Sequence, residues 1–216
     1  MTRFFITGTD TGVGKTWFTC WLVRQWRTQG RDAVGLKPIA AGGREDAELL
    51  RAASGDVLTL DAINPVHLRE PAAPLIAARE ENRTIDFAAL NASVFKIATH
   101  HSHVAVEGVG GWRVPLRPRY EVRNWARDLG LPVVVVARAG LGTLNHTLLT
   151  VESIRAAGVI CAGVVLNPGV EPADDARSAA RRTNGPVLQD LLGLPIFEID
   201  RAAETAGEIP VWLGGK

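Results

Sequence analysis

The chain has 216 residues, with 24 Lys and Arg against 23 Asp and Glu, a formal net charge of +1, and 46% hydrophobic residues. A chain this apolar and this neutral excludes disorder and argues against a basic nucleic-acid binder. Its length suits one domain, two at most, with enough buried surface for a real core.

The elements alternate from the start. Phe4-Phe5-Ile6 is a short β-rich run bounded by Gly8, and residues 15–29 carry Phe18, Leu22 and Trp26 on one helical face before Gly30 stops the pattern. Residues 33–37 predict a second strand ended by Pro38, and residues 45–53 a short helix. Residues 54–85, with Pro65, Pro71 and Pro74, predict irregular chain. Asp86 caps a helix that runs to about Thr99. Residues 103–106 predict a third strand leading into Glu107-Gly108-Val109-Gly110-Gly111.

The second half repeats the rhythm. Residues 122–129 predict a helix, 132–137 an uninterrupted β-branched strand, 144–157 a helix, 159–166 a strand and 173–182 a helix. Continuous apolar strands separated by helices specify a parallel sheet covered on both faces, in a single α/β domain spanning 1–216. Cys20 and Cys161, the only cysteines, lie in apolar stretches without metal spacing and predict two buried thiols in a reducing compartment. No signal peptide pattern and no apolar run of about 18 residues is present, so a cytoplasmic protein without a membrane partner is expected.

The strongest chemical signal is Gly8-Thr9-Asp10-Thr11-Gly12-Val13-Gly14-Lys15-Thr16, between a strand and a helix. Glycines let consecutive backbone N–H groups turn toward phosphate, and the helix N-terminus adds partial positive charge. Lys15 would reach the outer phosphates, and the Thr16 hydroxyl would complete Mg²⁺ coordination. The usual spacing would put the first glycine at position 9, where this chain has threonine. Asp10 has no account at this level. Glu107, at a strand's carboxyl end, is placed to hold Mg²⁺. Lys37, at another strand end, either neutralises charge in phosphoryl transfer or is simply solvated. Alone, Glu45-Asp46 reads as a complement to the helix dipole. His100, His101 and His103 read as solvated turn histidines at the opposite end of the sheet. Trp17, Trp21 and Trp26 read as packing or subunit-contact residues. Arg113, Arg117, Arg119, Arg123 and Arg127, interrupted by Glu121 and Asp128, read as a mixed-charge surface with no nucleic-acid partner.

The loop beginning Gly8-Thr9-Asp10-Thr11 resembles that of the dethiobiotin synthetase family, and further matches follow in order. They are Gly35-Leu36-Lys37-Pro38, Asn64-Pro65, Glu70-Pro71-Ala72-Ala73-Pro74, Val106-Glu107-Gly108-Val109-Gly110-Gly111-Trp112, Leu144-Asn145-His146-Thr147-Leu148-Leu149-Thr150 and Gly163-Val164-Val165-Leu166-Asn167. The resemblance implies a P-loop NTPase-like fold. It also implies an ATP- and Mg²⁺-dependent ligase that closes a cyclic urea from 7,8-diaminononanoate and CO₂, through a carbamate and a carbamic–phosphoric anhydride. It implies catalytic roles for Lys15, Lys37 and Thr11, and Mg²⁺ held by Thr16, Asp46 and Glu107. The ATP site would comprise Gly12, Val13, Gly14, Lys15, Thr16, Trp17, Asp46, Glu107, Gly108, Val109, Gly110 and Asn167, with Pro195, Ile196 and Phe197 as an adenine wall. Thr11, Lys37 and Ala41 would meet the diamine. Gly142, Thr143 and Asn145 would bind its carboxylate from a partner subunit, which implies a homodimer.

The chain departs from the family pattern at Ala41, where a serine is usual, at Leu75, where a histidine is usual, and after Leu194. A paralogue with another substrate is one alternative. A related P-loop ATPase acting as a switch is the other; such proteins carry a lysine early in the loop, where this chain has Thr9 and Asp10.

Overall fold

The computed structural model describes residues 1–169, 175–199 and 209–214, with side chains from 182 onward in the helix that begins at 175. The strands are β1 (Thr2–Gly8), β2 (Ala33–Leu36), β3 (Ile39–Ala41), β4 (Val66–Leu68), β5 (His103–Glu107), β6 (Pro115–Arg117), β7 (Tyr120–Glu121), β8 (Val133–Arg138), β9 (Cys161–Asn167) and β10 (Ile196–Glu198). The helices are α1 (Lys15–Thr28), α2 (Glu45–Ala53), α3 (Leu60–Ile63), α4 (Pro74–Glu80), α5 (Phe87–His100), α6 (Val122–Leu129), α7 (Thr143–Ala156) and α8 (Asp175–Leu192).

Six strands form one parallel sheet in the order β10-β9-β8-β1-β5-β2. Phe5 and Ile6 of β1 and Val133 to Val136 of β8 are fully buried, as expected for central strands covered on both faces. The face of α1 that packs on this sheet carries Phe18, Leu22 and Trp26, all without exposed surface. Trp26 also donates its indole N–H to the Leu213 carbonyl at 2.8 Å, tying the short C-terminal turn to α1. Among the described residues no helix is long and apolar enough to cross a membrane.

Several expectations are corrected. Residues 54–85 are not irregular: they contain α3, β4 and α4. Thr59 caps α3 by accepting from the Ala62 N–H, and Pro74 sits in the first turn of α4, where its missing N–H costs nothing. Pro38 does end the second strand, as expected, but a further short strand follows it at once, in a separate two-stranded parallel pair, β3 with β4. Short strand β10 and the antiparallel pair β6–β7 also went unread. The last helix continues to Leu192, past Gly185 and Pro186, rather than ending at Arg182; Ala173 and Asp174, at its expected start, lie outside the described residues. Cys20 is buried, and desolvation pushes its thiol up to about 12; Cys161 is only half-buried, at the first position of β9.

His103 is not a solvated turn residue. It opens β5 with 6% of its surface exposed, its ring 5.2 Å from that of Trp26 and its Nδ1 2.9 Å from Ser102 Oγ. Burial, with Arg31 and the amino terminus nearby and only Asp32 opposing, holds its pKa below the usual value. The unfolded chain therefore takes up a proton near pH 6.5 that the folded chain resists, and stability falls as pH drops below that point. His103→Gln should lose less stability between pH 7 and pH 5 than the parent chain, read from urea midpoints. Equal losses would contradict this.

Candidate active site

The strand order assembles the site. β5 lies between β1 and β2, with Ile6 paired to Glu107 and Leu36 paired to Val106. The phosphate-loop glycines after β1, Glu107 at the end of β5 and Lys37 just beyond β2 therefore emerge side by side at the carboxyl edge of the sheet, where parallel sheets bind ligands. They line one cavity of about 360 Å³ with Thr11, Gly12, Gly14, Lys15, Thr16, Trp17, Ala40, Ala41, Gly43, Asp46, Val109 and Gly110.

The loop's unusual spacing has a steric cause. A Cβ on Gly8 would stand 2.8 Å from the Asp10 carbonyl and 2.8 Å from Val13 Cγ2, so the chain can fold back on itself there only without a side chain. Asp10, unexplained by sequence, stabilises the turn. Its Oδ1 accepts from the Thr11 N–H at 2.7 Å, and its carbonyl accepts from Lys15 Nζ at 3.1 Å. Lys15 is buried; desolvation first, then the positive charge of Lys37, lowers its pKa to about 8. An ammonium destabilised in this way gains by meeting polyphosphate.

Behind the loop is a compact charge cluster. Glu107 has no exposed surface; its Oε1 accepts from Thr16 Oγ1 at 2.8 Å and from Lys37 Nζ at 2.5 Å. Lys37 Nζ also lies 3.0 Å from Asp46 Oδ2, in the first turn of α2. Burial alone would favour neutral Lys37, but Glu107 and Asp46 together outweigh it and raise its pKa. For Asp46, burial is likewise outweighed by Lys37, with help from Thr16 and Lys15, and its pKa falls. Sequence left Lys37 open between solvated and catalytic. Its ammonium is in fact buried between two carboxylates.

The oxygens of Thr16, Asp46 and Glu107 fit Mg²⁺. They are hard donors, and Glu107 Oε2 is buried with no hydrogen-bond partner. Among the described residues no cluster of three or more His, Cys, Asp or Glu gathers, so a cation here would take its remaining ligands from nucleotide phosphates and water.

Other expected site residues lie elsewhere. Val13 faces a separate cavity of about 160 Å³ with Asp10, Arg138, Thr143 and His146, while Gly108 packs under β1 with its N–H on the Ile6 carbonyl. Asn167 turns its amide onto the Val13 carbonyl at 2.9 Å, beneath the loop, and does not line the large cavity. Neither do Pro195, Ile196 and Phe197; the Phe197 ring stacks on Trp21 at 5.4 Å. Gly142 and Asn145 stand exposed at the start of α7. Unforeseen were Ala40 and Gly43 in the cavity wall, and Arg44 and Asn64 behind it.

Parallel sheet, phosphate loop and acidic strand end define a P-loop NTPase-like protein. An AAA-domain family model matches residues 2–197. The chain is 47% identical to the ATP-dependent dethiobiotin synthetase BioD of Anaeromyxobacter dehalogenans strain 2CP-C, covering 97% of each chain. It is 41% identical to the protein of the same name from Akkermansia muciniphila, covering 91% of each. The chain belongs to the dethiobiotin synthetase family. More distant solved structures share the fold: cell division protein FtsY of Thermotoga maritima (TM-score 0.57, 15% identity, 98% of this chain and 66% of that one) and MinD of Aquifex aeolicus (TM-score 0.57, 13% identity, 94% and 84%).

Proposed function

We propose that the protein is an ATP-dependent ligase that converts 7,8-diaminononanoate and CO₂ to dethiobiotin, with ATP cleaved to ADP and phosphate. The observation that carries this reading is the single cavity lined by Gly12, Gly14 and Lys15 of the loop together with Lys37, Asp46 and Glu107. One diamine nitrogen adds to CO₂ and loses a proton, giving a carbamate. A carbamate oxygen attacks the γ-phosphorus and ADP leaves. The second nitrogen then attacks the carbamoyl carbon, phosphate leaves, and loss of a proton completes the cyclic urea.

Each step gathers negative charge on the transferring group, and the chain supplies fixed positive charge for it. Lys15 and the N-terminus of α1 hold the outer phosphates. Lys37 lies opposite them, its ammonium kept protonated by its two carboxylates and so able to stabilise carbamate and phosphoryl oxygens. Thr11, exposed at the cavity mouth, is within the same cavity and can orient the diamine. Thr16, Asp46 and Glu107 would hold Mg²⁺, which when bound neutralises charge on the β- and γ-phosphates.

A homodimer in the cytoplasm belongs to the same reading. Gly142, Thr143 and Asn145 are the candidates for a neighbouring subunit's diamine carboxylate; Gly142 and Asn145 are exposed, Thr143 between them is buried, and Leu141 (93% exposed) and Leu149 (58%) stand exposed nearby. Asn167, Pro195, Ile196 and Phe197 remain the adenine candidates; none of them lines the large cavity, so adenine would lie beside it, past Gly14, which Asn167 adjoins.

Ala41, which lines the cavity, lacks the hydroxyl usual at this place. One restored hydrogen bond is worth about 0.5–1 kcal/mol, so Ala41→Ser should lower the diamine KM by roughly two- to fivefold. No change, or a rise, would mean that position 41 does not meet the diamine. The proposed reaction is tested with ¹³C-bicarbonate. Dethiobiotin one mass unit heavier should form only when ATP, Mg²⁺ and diamine are all present, and absence of any labelled cyclic urea would refute the reading.

A further inference from the structure

β2 pairs with β5 only as far as Leu36 with Val106, and the next residues are Lys37 and Pro38, which has no N–H to donate. The backbone that carries the Lys37 ammonium therefore leaves the main sheet at the point where its position matters most. A neighbouring segment takes over. The Lys37 N–H donates to the Ile63 carbonyl at 3.1 Å, and the Val66 N–H to the Pro38 carbonyl at 3.0 Å.

Between these two bonds sits Asn64, 1% exposed. Its Nδ2 donates to the Lys37 carbonyl at 2.8 Å and to the Val66 carbonyl at 3.1 Å, while its Oδ1 accepts from Arg44 Nε at 3.0 Å. Arg44 also donates to the Asn64 carbonyl at 3.1 Å, and it immediately precedes α2, whose first turn holds Asp46. One buried carboxamide thus spends both N–H groups and its oxygen joining the Lys37 backbone to the start of the Asp46 helix. No other small side chain offers two donors and an acceptor at this reach. A hydrophobic or purely accepting residue would leave the buried Lys37 carbonyl and the partly buried Val66 carbonyl without this partner.

We infer that Asn64 is a positioning residue for the ligase reaction, fixing Lys37 and Asp46 relative to each other so that the ammonium stays aimed into the cavity. It touches no reacting atom itself. The kinetic arm of the test rests on the ligase reading, whereas the spectroscopic arm does not.

The chain has four lysines, Lys15, Lys37, Lys96 and Lys216, so side-chain ¹⁵N-lysine NMR resolves few signals, and Lys37→Ala identifies that of Lys37. In full-length Asn64→Ala the Lys37 signal should shift or broaden while that of exposed Lys96 stays in place. The kcat should fall about 10- to 100-fold with the KM for ATP within threefold, and adding Asn64→Ala to Lys37→Ala should cost less than a further threefold. If Asn64→Ala does not accumulate, Asn64→Asp carries the test: it keeps the acceptor for Arg44 but, ionised, has no donor for Lys37. An unmoved Lys37 signal, a full multiplicative loss in the Lys37→Ala background, or failure of both variants to fold would overturn the inference. A displaced Lys37 signal in a protein that never turns over the diamine would instead retire the ligase reading and leave Asn64 acting on Lys37.

Discussion

Lys37→Ala should lower kcat by about 10²–10³-fold or more while changing ATP affinity by no more than about threefold. The asymmetry follows from where the ammonium is held. Lys15 bonds the loop itself, whereas Lys37 is bound to Glu107 and Asp46 across the cavity from it. Removing Lys37 leaves the phosphate loop intact but removes a fixed positive charge that lines the cavity with it. It also takes from Glu107, which has no exposed surface, and from Asp46 the ammonium that both bond, with only the more distant charge of Lys15 left among the described residues to oppose theirs. Breaking a buried pair in this way costs about 3–5 kcal/mol, so a lower unfolding midpoint should accompany the rate loss. Rapid-quench turnover at saturating substrates separates the two effects, because it reads the folded fraction that binds nucleotide. Rates like those of the parent chain there would remove Lys37 from the chemistry.

Gly14→Ala should weaken nucleotide binding by at least about 30-fold, roughly 2 kcal/mol. Gly14 caps α1 in the left-handed region at φ +93°, a conformation that L side chains rarely adopt. A Cβ there would also fall 1.8 Å from Asn167 Nδ2, whose amide supports the loop through the Val13 carbonyl. The variant must therefore move either the loop or the end of β9, and either shift disturbs the N–H groups that cradle phosphate. Calorimetric titration with ATP checks this, and affinity within a few-fold of the parent chain would contradict the loop geometry. At Gly12, φ is also positive but no atom lies within 4 Å of an added Cβ, so Gly12→Ala should be the milder change.

Local signals were legible and long-range ones were not. β1, the phosphate loop and α1 are contiguous, and their periodicity and glycines mark them without any tertiary contact. Glu107 and Lys37 were visible as strand-end residues. That they share a bond depends on β5 lying beside both β1 and β2, an order that no local pattern encodes. Asp46 looked like a helix-dipole residue because its partner Lys37 lies in the preceding strand segment, beyond any helical spacing. Asn64 stood in a matched motif without a role for the same reason: its acceptor is 27 residues away. Residues 54–85 misled through Pro74, which local rules count as a breaker unless the chain places it at a helix start. His103 misled because a histidine-rich turn reads as solvated, whereas its burial against Trp26, from a distant helix, is a tertiary contact.

The most direct test of the central claim is ³¹P-monitored phosphate release with ATP, Mg²⁺ and bicarbonate, with and without 7,8-diaminononanoate. Phosphate should appear rapidly only with the diamine present, and in step with cyclic urea formation. Release at the same rate without the diamine would contradict the claim and identify an uncoupled nucleotide switch instead.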